Sequence, residues 1–231
     1  VTSRPALDVP FVIAAAGRGS RLGLGVPKCL VDVGGRTVLD RQLELLSPQA
    51  DVRVVVGFRA ADVVAEVARL GRRVRIVENP EWATTNTLAS LELATRDVAG
   101  RCVIVDGDLV IDPTDFDRFV RVAGERPDPC IAITPAGTED GVFVGTTGHP
   151  DADGRAVVTD FRRSPSDDYE WSGLGLVAAA ALRARDGWVF TALEGGLPLR
   201  ACVVRAWEID TPADLDRAVA ALASRVGRSV G

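Results

Sequence analysis

A chain of 231 residues, 47% hydrophobic and 26% charged, has the composition of an ordinary globular protein with enough length for one sizeable core. Its formal net charge of -5 speaks against a general nucleic-acid-binding surface, which carries a basic excess. No apolar run approaches the ~20 residues of a membrane span, and the first ten residues hold no signal-peptide core, so no membrane association and a cytoplasmic location are expected.

Residues 1–8 are polar, and a strand is expected from about Val9, with Phe11-Val12-Ile13-Ala14 apolar on both faces as in a buried parallel sheet. The chain then enters a loop that carries Gly17, Gly19, Gly23 and Gly25, the cations Arg18 and Arg21, Ser20, and finally Pro27-Lys28. Glycines let backbone N–H groups approach an anion and the cations supply charge, so this loop is suited to cradle a polyphosphate. The bland alternative is a simple turn. A dinucleotide fingerprint does not fit, because the third glycine is one place late and Pro27 interrupts, and a Walker loop would need Gly-Lys-Ser/Thr. Lys28 to Val33 is expected to be a short extended segment. Val38, Leu39, Leu43 and Leu46 follow with helical spacing, then a strand within Asp51–Phe58. A helix over Ala60–Leu70 has Val63, Val64 and Val67 on one face, and a strand contains Val74, Ile76 and Val77. This alternation implies right-handed crossovers and a parallel sheet.

The segment from Glu78 to Leu91 enters a helix in which Leu88, Leu91 and Ala94 share a face. Asn86 and Ser90, four apart, would lie together on another, the alternative being that Thr84 or Thr85 caps the helix and Asn86 is merely exposed. An apolar strand from Cys102 ends in Asp106-Gly107-Asp108, and period-two alternation sends both carboxylates to one side. Buried charges are expensive unless paired, and Mg²⁺ is the natural partner for carboxylates beside phosphate. Asp112-Pro113 opens a helix to about Ala123, and Ile131-Ala132-Ile133 is a strand. From 141 to 175 shorter strands and turns predict an antiparallel flap covering a second substrate. Asp167, Asp168 and Glu170 interleave with Tyr169 and Trp171, a composition able to receive an ammonium group through charge and cation–π attraction, the alternative being a solvated loop with one anchoring aromatic. Leu174 to Leu182 is expected to be a strand, and a helix containing Trp188, Phe190 and Leu193 follows. Thr211, Pro212 and Asp214 begin a last helix with Leu215, Val219, Leu222 and Val226 in one stripe, leaving Asp210 at a strand end with no capping duty.

Cys29, Cys102, Cys130 and Cys202 are scattered without a Cys-x-x-Cys pair, which argues against zinc, although Lys28 would lower the pKa of Cys29 if that thiol were exposed. His149, the one histidine, is expected in a solvated turn. No repeat or linker divides the chain, so residues 1–231 are expected to form a single domain.

The string Ala15-Ala16-Gly17-Arg18-Gly19-Ser20-Arg21-Leu22, then Pro27-Lys28, then Leu30 to Gly35, resembles the signature of nucleotidyltransferases that join a nucleoside triphosphate to a small phosphorylated molecule with release of pyrophosphate. The spacer Gly23-Leu24-Gly25-Val26 in place of Pro-Leu-Thr looks more like the cytidylyltransferase branch acting on phosphocholine or phosphonates. The resemblance implies an α/β, Rossmann-like, mostly parallel sheet with helices on both faces plus the antiparallel flap, similar to nucleotide-diphospho-sugar transferases. It implies CTP as donor and Mg²⁺ held by Asp108 and Asp210, with Asp106 assisting through water. Lys28 would act on the α-phosphate and the incoming phosphate, and Arg18 and Arg21 on the leaving phosphates. Ala15, Ala16, Gly17, Gly19, Ser20, Asn86 and Ser90 would contact the nucleotide, and Tyr169, Trp171 and Gly173 the second substrate. A phosphate nucleophile is already ionised near neutral pH, its second pKa being about 6, so such an enzyme needs no general base. Transfer to a sugar or polyol phosphate from another triphosphate, an Asp-x-Asp glycosyltransferase and a non-catalytic nucleotide sensor are the alternatives. Base, acceptor and oligomeric state are not readable.

Overall fold

In the computed structural model, residues 7–165, 168–183 and 187–226 are described. The first half alternates as expected: β1 (Phe11–Ala15), α1 (Val38–Leu45), β2 (Val52–Val56), α2 (Ala60–Arg69), β3 (Arg75–Glu78), α3 (Thr87–Thr95) and β4 (Arg101–Asp106). After a tight turn come β5 (Leu109–Ile111), α4 (Pro113–Gly124), β6 (Cys130–Pro135), β7 (Phe143–Thr146), β8 (Arg155–Arg162) and β9 (Tyr169–Ala178). The chain continues through α5 (Val189–Glu194), β10 (Leu199–Val203), β11 (Ala206–Glu208) and α6 (Pro212–Val226).

Nine strands form one sheet in the order β3-β2-β1-β4-β9-β6-β10-β8-β7. β1 to β4 are mutually parallel, and β9 runs antiparallel between β4 and β6. The antiparallel segment expected at 141–175 is continuous with this sheet: β7 and β8 form its edge, β9 lies near its middle, and β7 pairs again with the start of β9. Alternate residues of the apolar strands feed two cores, as the pleat requires. Phe11 and Ile13 pack with Leu39, Leu43, Val63 and Phe119 of α1, α2 and α4, whereas Val12, Val55 and Ile104 pack with Leu88, Leu91 and Leu193 of α3 and α5. A third cluster joins Leu22, Val31, Val33, Val38, Val110 and Ile209 to Ala218 of α6. That cluster seats the last helix on the first loop and on the small β5–β11 ribbon.

Several local expectations change. Lys28 to Leu30 is a turn of 3-10 helix rather than an extended segment. Val64 is exposed, because only Val63 and Val67 fall on the buried stripe of α2. In α6 the buried position is Ala218, with Val219 exposed one residue further round the helix. The strand placed at 174–182 starts earlier, at Tyr169, and gives way to a 3-10 turn over Ala179–Arg183.

The turn between β10 and β11 is tied to the start of α4. Asp112 caps α4 by accepting from the amides of Thr114 and Asp115, and its own amide donates to the Arg205 carbonyl at 2.9 Å. The buried Asp115 carboxylate accepts from the Arg205 amide at 2.9 Å and from its Nε at 2.7 Å. Burial pushes the Asp115 carboxyl up, but the bonds from Arg205 outweigh it and hold the group below the usual carboxylate range. A depressed native pKa contributes stability that is present above the unfolded value of about 4 and is lost as pH falls through the native one. Asp115→Asn is expected to cost about 2 kcal/mol at pH 7, measured by urea denaturation. The gap to the parent should close as pH falls below about 4, and a gap that persists undiminished in acid would contradict this anchor.

Candidate functional site

The site is built from the loop that leaves β1. Gly19 adopts φ +62°, and a Cβ there would come within 2.4 Å of Lys28 Cγ. Only a glycine lets the Lys28 stem cross the loop at this point. Pro27 then starts the 3-10 turn, whose Cys29 is buried in the first core at 2% exposure. Burial, followed by the charge of Asp108, pushes the Cys29 thiol up to about 12; the reactive thiol that Lys28 would have favoured does not arise, because Cys29 points into the core. All four cysteines are buried and free, and His149 is exposed.

Lys28 Nζ donates to Asp108 Oδ2 at 2.6 Å and also to Asp210. Arg21 pairs with Asp140 at 2.5 Å and with Asp210. Asp108 stands on the β4–β5 turn, and Glu208 ends β11, its residue paired with Leu109 in the ribbon. Asp210 follows, steadied by α6: Asp214 accepts from the amides of Asp210 and Thr211 at 3.3 and 2.7 Å. Ligand oxygens of Asp108, Glu208 and Asp210 all lie within 4.8 Å of one another. Burial in the cleft wall and then the charge of Asp108 raise Glu208 to about 7, although its side chain is open to the cleft. Hard carboxylate oxygens beside an anion-binding loop fit Mg²⁺, which takes one or two carboxylates with phosphate oxygens and water.

Asp106 lines the same cleft but stays outside this trio. β4 ends at Asp106, so the strand alternation that would align it with Asp108 stops there. Its carboxyl lies against Gly173, where a Cβ would fall 2.4 Å from Oδ2, and burial, then the charges of Asp108 and Glu208, push it well above the usual carboxylate range.

The cleft has a volume of about 840 Å³. Ala15, Gly17, Gly19, Arg21, Lys28, Trp171 and Gly173 line it, together with Ala14 and Thr87, which the sequence did not single out. Ala16 lies behind, its carbonyl accepting from the Phe58 amide at 3.0 Å. Arg18 is drawn aside, its guanidinium 5.8 Å from the Phe58 ring centre. Of Ser20 only the backbone, in a 3-10 turn, is described. Asn86 and Ser90 do not share a face toward the cleft: Asn86 is the cap of α3, accepting from Ala89 and donating to the Gly187 carbonyl, while Ser90 is buried 3.0 Å from Asn79 Nδ2. Thr84 and Thr85 are not the cap; each donates to the Glu81 carbonyl.

Opposite the loop, Trp171 meets Phe161 edge-on at 6.5 Å, and Phe161 lies 6.2 Å from Phe190. Arg163 stacks over Trp188 and Phe190 at 5.5 and 5.3 Å. Tyr169 is half-buried in the second core beside β7 and does not line the cleft. Asp167 lies outside the described residues. Glu170 is 7% exposed and accepts from Thr138 Oγ1 at 2.5 Å; among the described residues no basic side chain pairs with it. Glu208, Asp140 and Arg163 are among the charged groups of the cleft that sequence reasoning did not assign to it, whereas Glu170 belongs to the acidic–aromatic run singled out there. Glu208 and Asp210 are two apart at a strand end, the signal used for Asp106 and Asp108, whereas Asp140 and Arg163 sit in loops without a local signature.

A glycine- and cation-bearing loop at the ends of parallel strands, facing carboxylates across an open cleft, defines the class of nucleotide-diphospho-sugar transferase-like α/β folds. Residues 11–150 match the model of the MobA-like NTP transferase domain, and the chain belongs to that family. It is 33% identical over 202 residues to CMP-5'-(3-aminopropyl)phosphonate synthase of Streptomyces rubellomurinus, covering 78% of this chain and 30% of that protein. It is 37% identical over 131 residues to 2-C-methyl-D-erythritol 4-phosphate cytidylyltransferase of Saccharopolyspora erythraea, covering 54% of this chain and 58% of that one. The chain therefore spans about a third of the first relative and somewhat over half of the second. A solved CTP:phosphocholine cytidylyltransferase from Streptococcus pneumoniae shares the fold, with a TM-score of 0.71 at 18% identity over 94% of this chain and 100% of that one. Among the described residues no helix is long and apolar enough to cross a membrane.

Gly19→Ala forces both a left-handed backbone and a collision with Lys28. It is expected to weaken binding of a fluorescent nucleoside triphosphate roughly ten- to hundredfold, the worth of one charge-assisted contact. Titration at fixed ionic strength measures this, and unchanged affinity would rule out the crossing as a determinant of the loop.

Proposed function

We propose that this domain transfers a cytidylyl group from CTP to a phosphonate or phosphate oxygen of a small acceptor and releases pyrophosphate. The observation that carries the reading is the convergence of Lys28 and Arg21 on Asp108 and Asp210 at the mouth of the glycine loop. That geometry suits a bound polyphosphate, and the reaction needs no general base because the acceptor oxygen is already ionised near pH 7. Lys28, 16% exposed at its side chain, sits where water screens its charge weakly, so it opposes the charge that develops on the α-phosphate during in-line attack. Arg21 faces the departing β- and γ-phosphates. Asp108, Asp210 and Glu208 would hold Mg²⁺, which when bound neutralises phosphate charge. The choice of CTP is supported by the names of the two relatives, both of which transfer or synthesise cytidylyl products.

The acceptor end of the cleft supports a cationic substrate. Among the described residues Glu170 is a buried carboxylate with no basic partner, and it lines the cleft together with Trp171. An ammonium group that reached Glu170 would pair with its carboxylate. A hydroxyl in the same place would leave the carboxylate charge unbalanced.

Pyrophosphate release with Mg²⁺ should appear with CTP and 2-aminoethylphosphonate, 3-aminopropylphosphonate or phosphocholine, and weakly or not at all with hydroxyethylphosphonate. Glu170→Gln should raise KM for the amine-bearing acceptor at least about tenfold, leaving KM for CTP within about twofold. Equal use of amine and hydroxyl acceptors would overturn the acceptor reading, and silence across all acceptors would overturn the transfer reading. Lys28→Ala is expected to lower turnover about 10²- to 10³-fold, as removal of one preorganised donor does elsewhere; single-turnover assays with saturating CTP check this, and unimpaired chemistry would remove Lys28 from the mechanism.

A further inference from the structure

We infer that Gln42, on α1, is a positioning residue that fixes Asp108 by locking the β4–β5 turn. The inference rests on the reading of Asp108 as part of the cation-holding trio. Gln42 is 4% exposed on the buried face of α1, among Leu39, Leu43 and Leu45. Its Nε2 donates to two carbonyls at once, Asp106 O and Leu109 O, each at 2.8 Å. These carbonyls flank Gly107-Asp108, so one amide clamps both ends of the two-residue turn.

Two further backbone groups of the turn are committed as well. The Gly107 amide donates to Ala14 O at 3.0 Å, and a Cβ on Gly107 would lie 2.6 Å from that oxygen, so the turn is pressed onto β1. The Asp108 carbonyl accepts from the Ile209 amide at 3.0 Å, which ties it to the segment carrying Glu208 and Asp210. α1, β1 and the β11 end each hold one part of the turn from which the Asp108 side chain reaches Lys28 at 2.6 Å. Gln42 is the one side chain in this set; the other ties are backbone. Its Oε1 finds no donor among the described residues, so the fold leaves a buried acceptor unsatisfied here, where an aliphatic residue would have left none on that side chain. The two bonds to the turn are the physical reason for an amide at this position.

Gln42→Leu preserves volume and removes both bonds, and Leu43→Ala, on the same helix, serves as a purely structural comparison. Mn²⁺ binding by electron paramagnetic resonance, amide hydrogen exchange over residues 106–109 and the thermal midpoint are measured on the full chain. Gln42→Leu should weaken Mn²⁺ binding about tenfold, the range for a group that orients a metal ligand, and speed exchange at 106–109. Leu43→Ala should lower the midpoint while leaving Mn²⁺ affinity unchanged. Unchanged exchange in Gln42→Leu, or an equal loss of Mn²⁺ affinity in Leu43→Ala, would overturn the positioning role. Absence of Mn²⁺ binding in the parent chain would instead overturn the reading of the trio, and the exchange result would then decide the clamp by itself.

Discussion

The ammonium of Lys28 between the carboxylates of Asp108 and Asp210 is the contact on which the rest of the site depends. Three acidic side chains with oxygens inside 4.8 Å repel one another, and they stand together only because cations from the first loop face them. Such clusters seldom add net stability, since desolvation offsets much of the attraction. The fold nevertheless commits several elements to holding it. The β5–β11 ribbon aligns Glu208 with Leu109, the α6 cap binds the Asp210 amide, and Arg205 is anchored on Asp115. A costly charge arrangement supported from so many sides is explained by what it binds rather than by what it contributes to folding.

Lys28 itself is held from two directions. Its stem passes across Gly19, and its neighbour Cys29 is rooted in the core beneath α1 and α2. The loop can therefore carry four glycines without losing the position of its cation. The third apolar cluster completes this: Leu22 and Val31 of the loop pack against Val110, Ile209 and Ala218. Loop, acidic ribbon and last helix share one small core, so the cationic and anionic halves of the site are fixed relative to each other by packing as well as by charge.

The parallel half of the fold was legible because its signals are local. Phe11–Ala14, the valine run at 52–56 and the Asp112-Pro113 cap each declare an element within a few residues, and the loop signature identified the cations. What was not legible came from geometry beyond a single element. Alternation placed Asp106 beside Asp108, and both line the cleft, but Asp106 lies against Gly173 while Asp108 stands with Glu208 and Asp210. Applied to Glu208 and Asp210, the same pattern would have found the third carboxylate. Asn86 and Ser90 have the spacing of one helix face, yet Asn86 stands outside the helix as its cap and Ser90 turns inward to Asn79. Val219 shows the limit of a periodic stripe: one residue of phase decides between Ala218 in the core and an exposed position.

The proposed donor and acceptor sides of the cleft differ in how the chain makes them. The triphosphate side comes from one continuous stretch, Ala14 to Lys28, set against strand ends whose positions the sheet dictates. The acceptor side is assembled from the 137–142 loop, β9 and the start of α5, joined by Thr138 to Glu170 and by Arg163 over Trp188 and Phe190. None of those contacts supports Lys28, Asp108 or Asp210. On the proposed reading, a substitution at Glu170 or Trp188 acts on acceptor choice, although the charge of Glu170 is also felt by Glu208, whereas a change at Gly19 or Asp108 acts on the groups that face phosphate. The two sides are carried by different segments, and they meet directly at the Arg21–Asp140 pair and where Asp106 lies against Gly173 of β9.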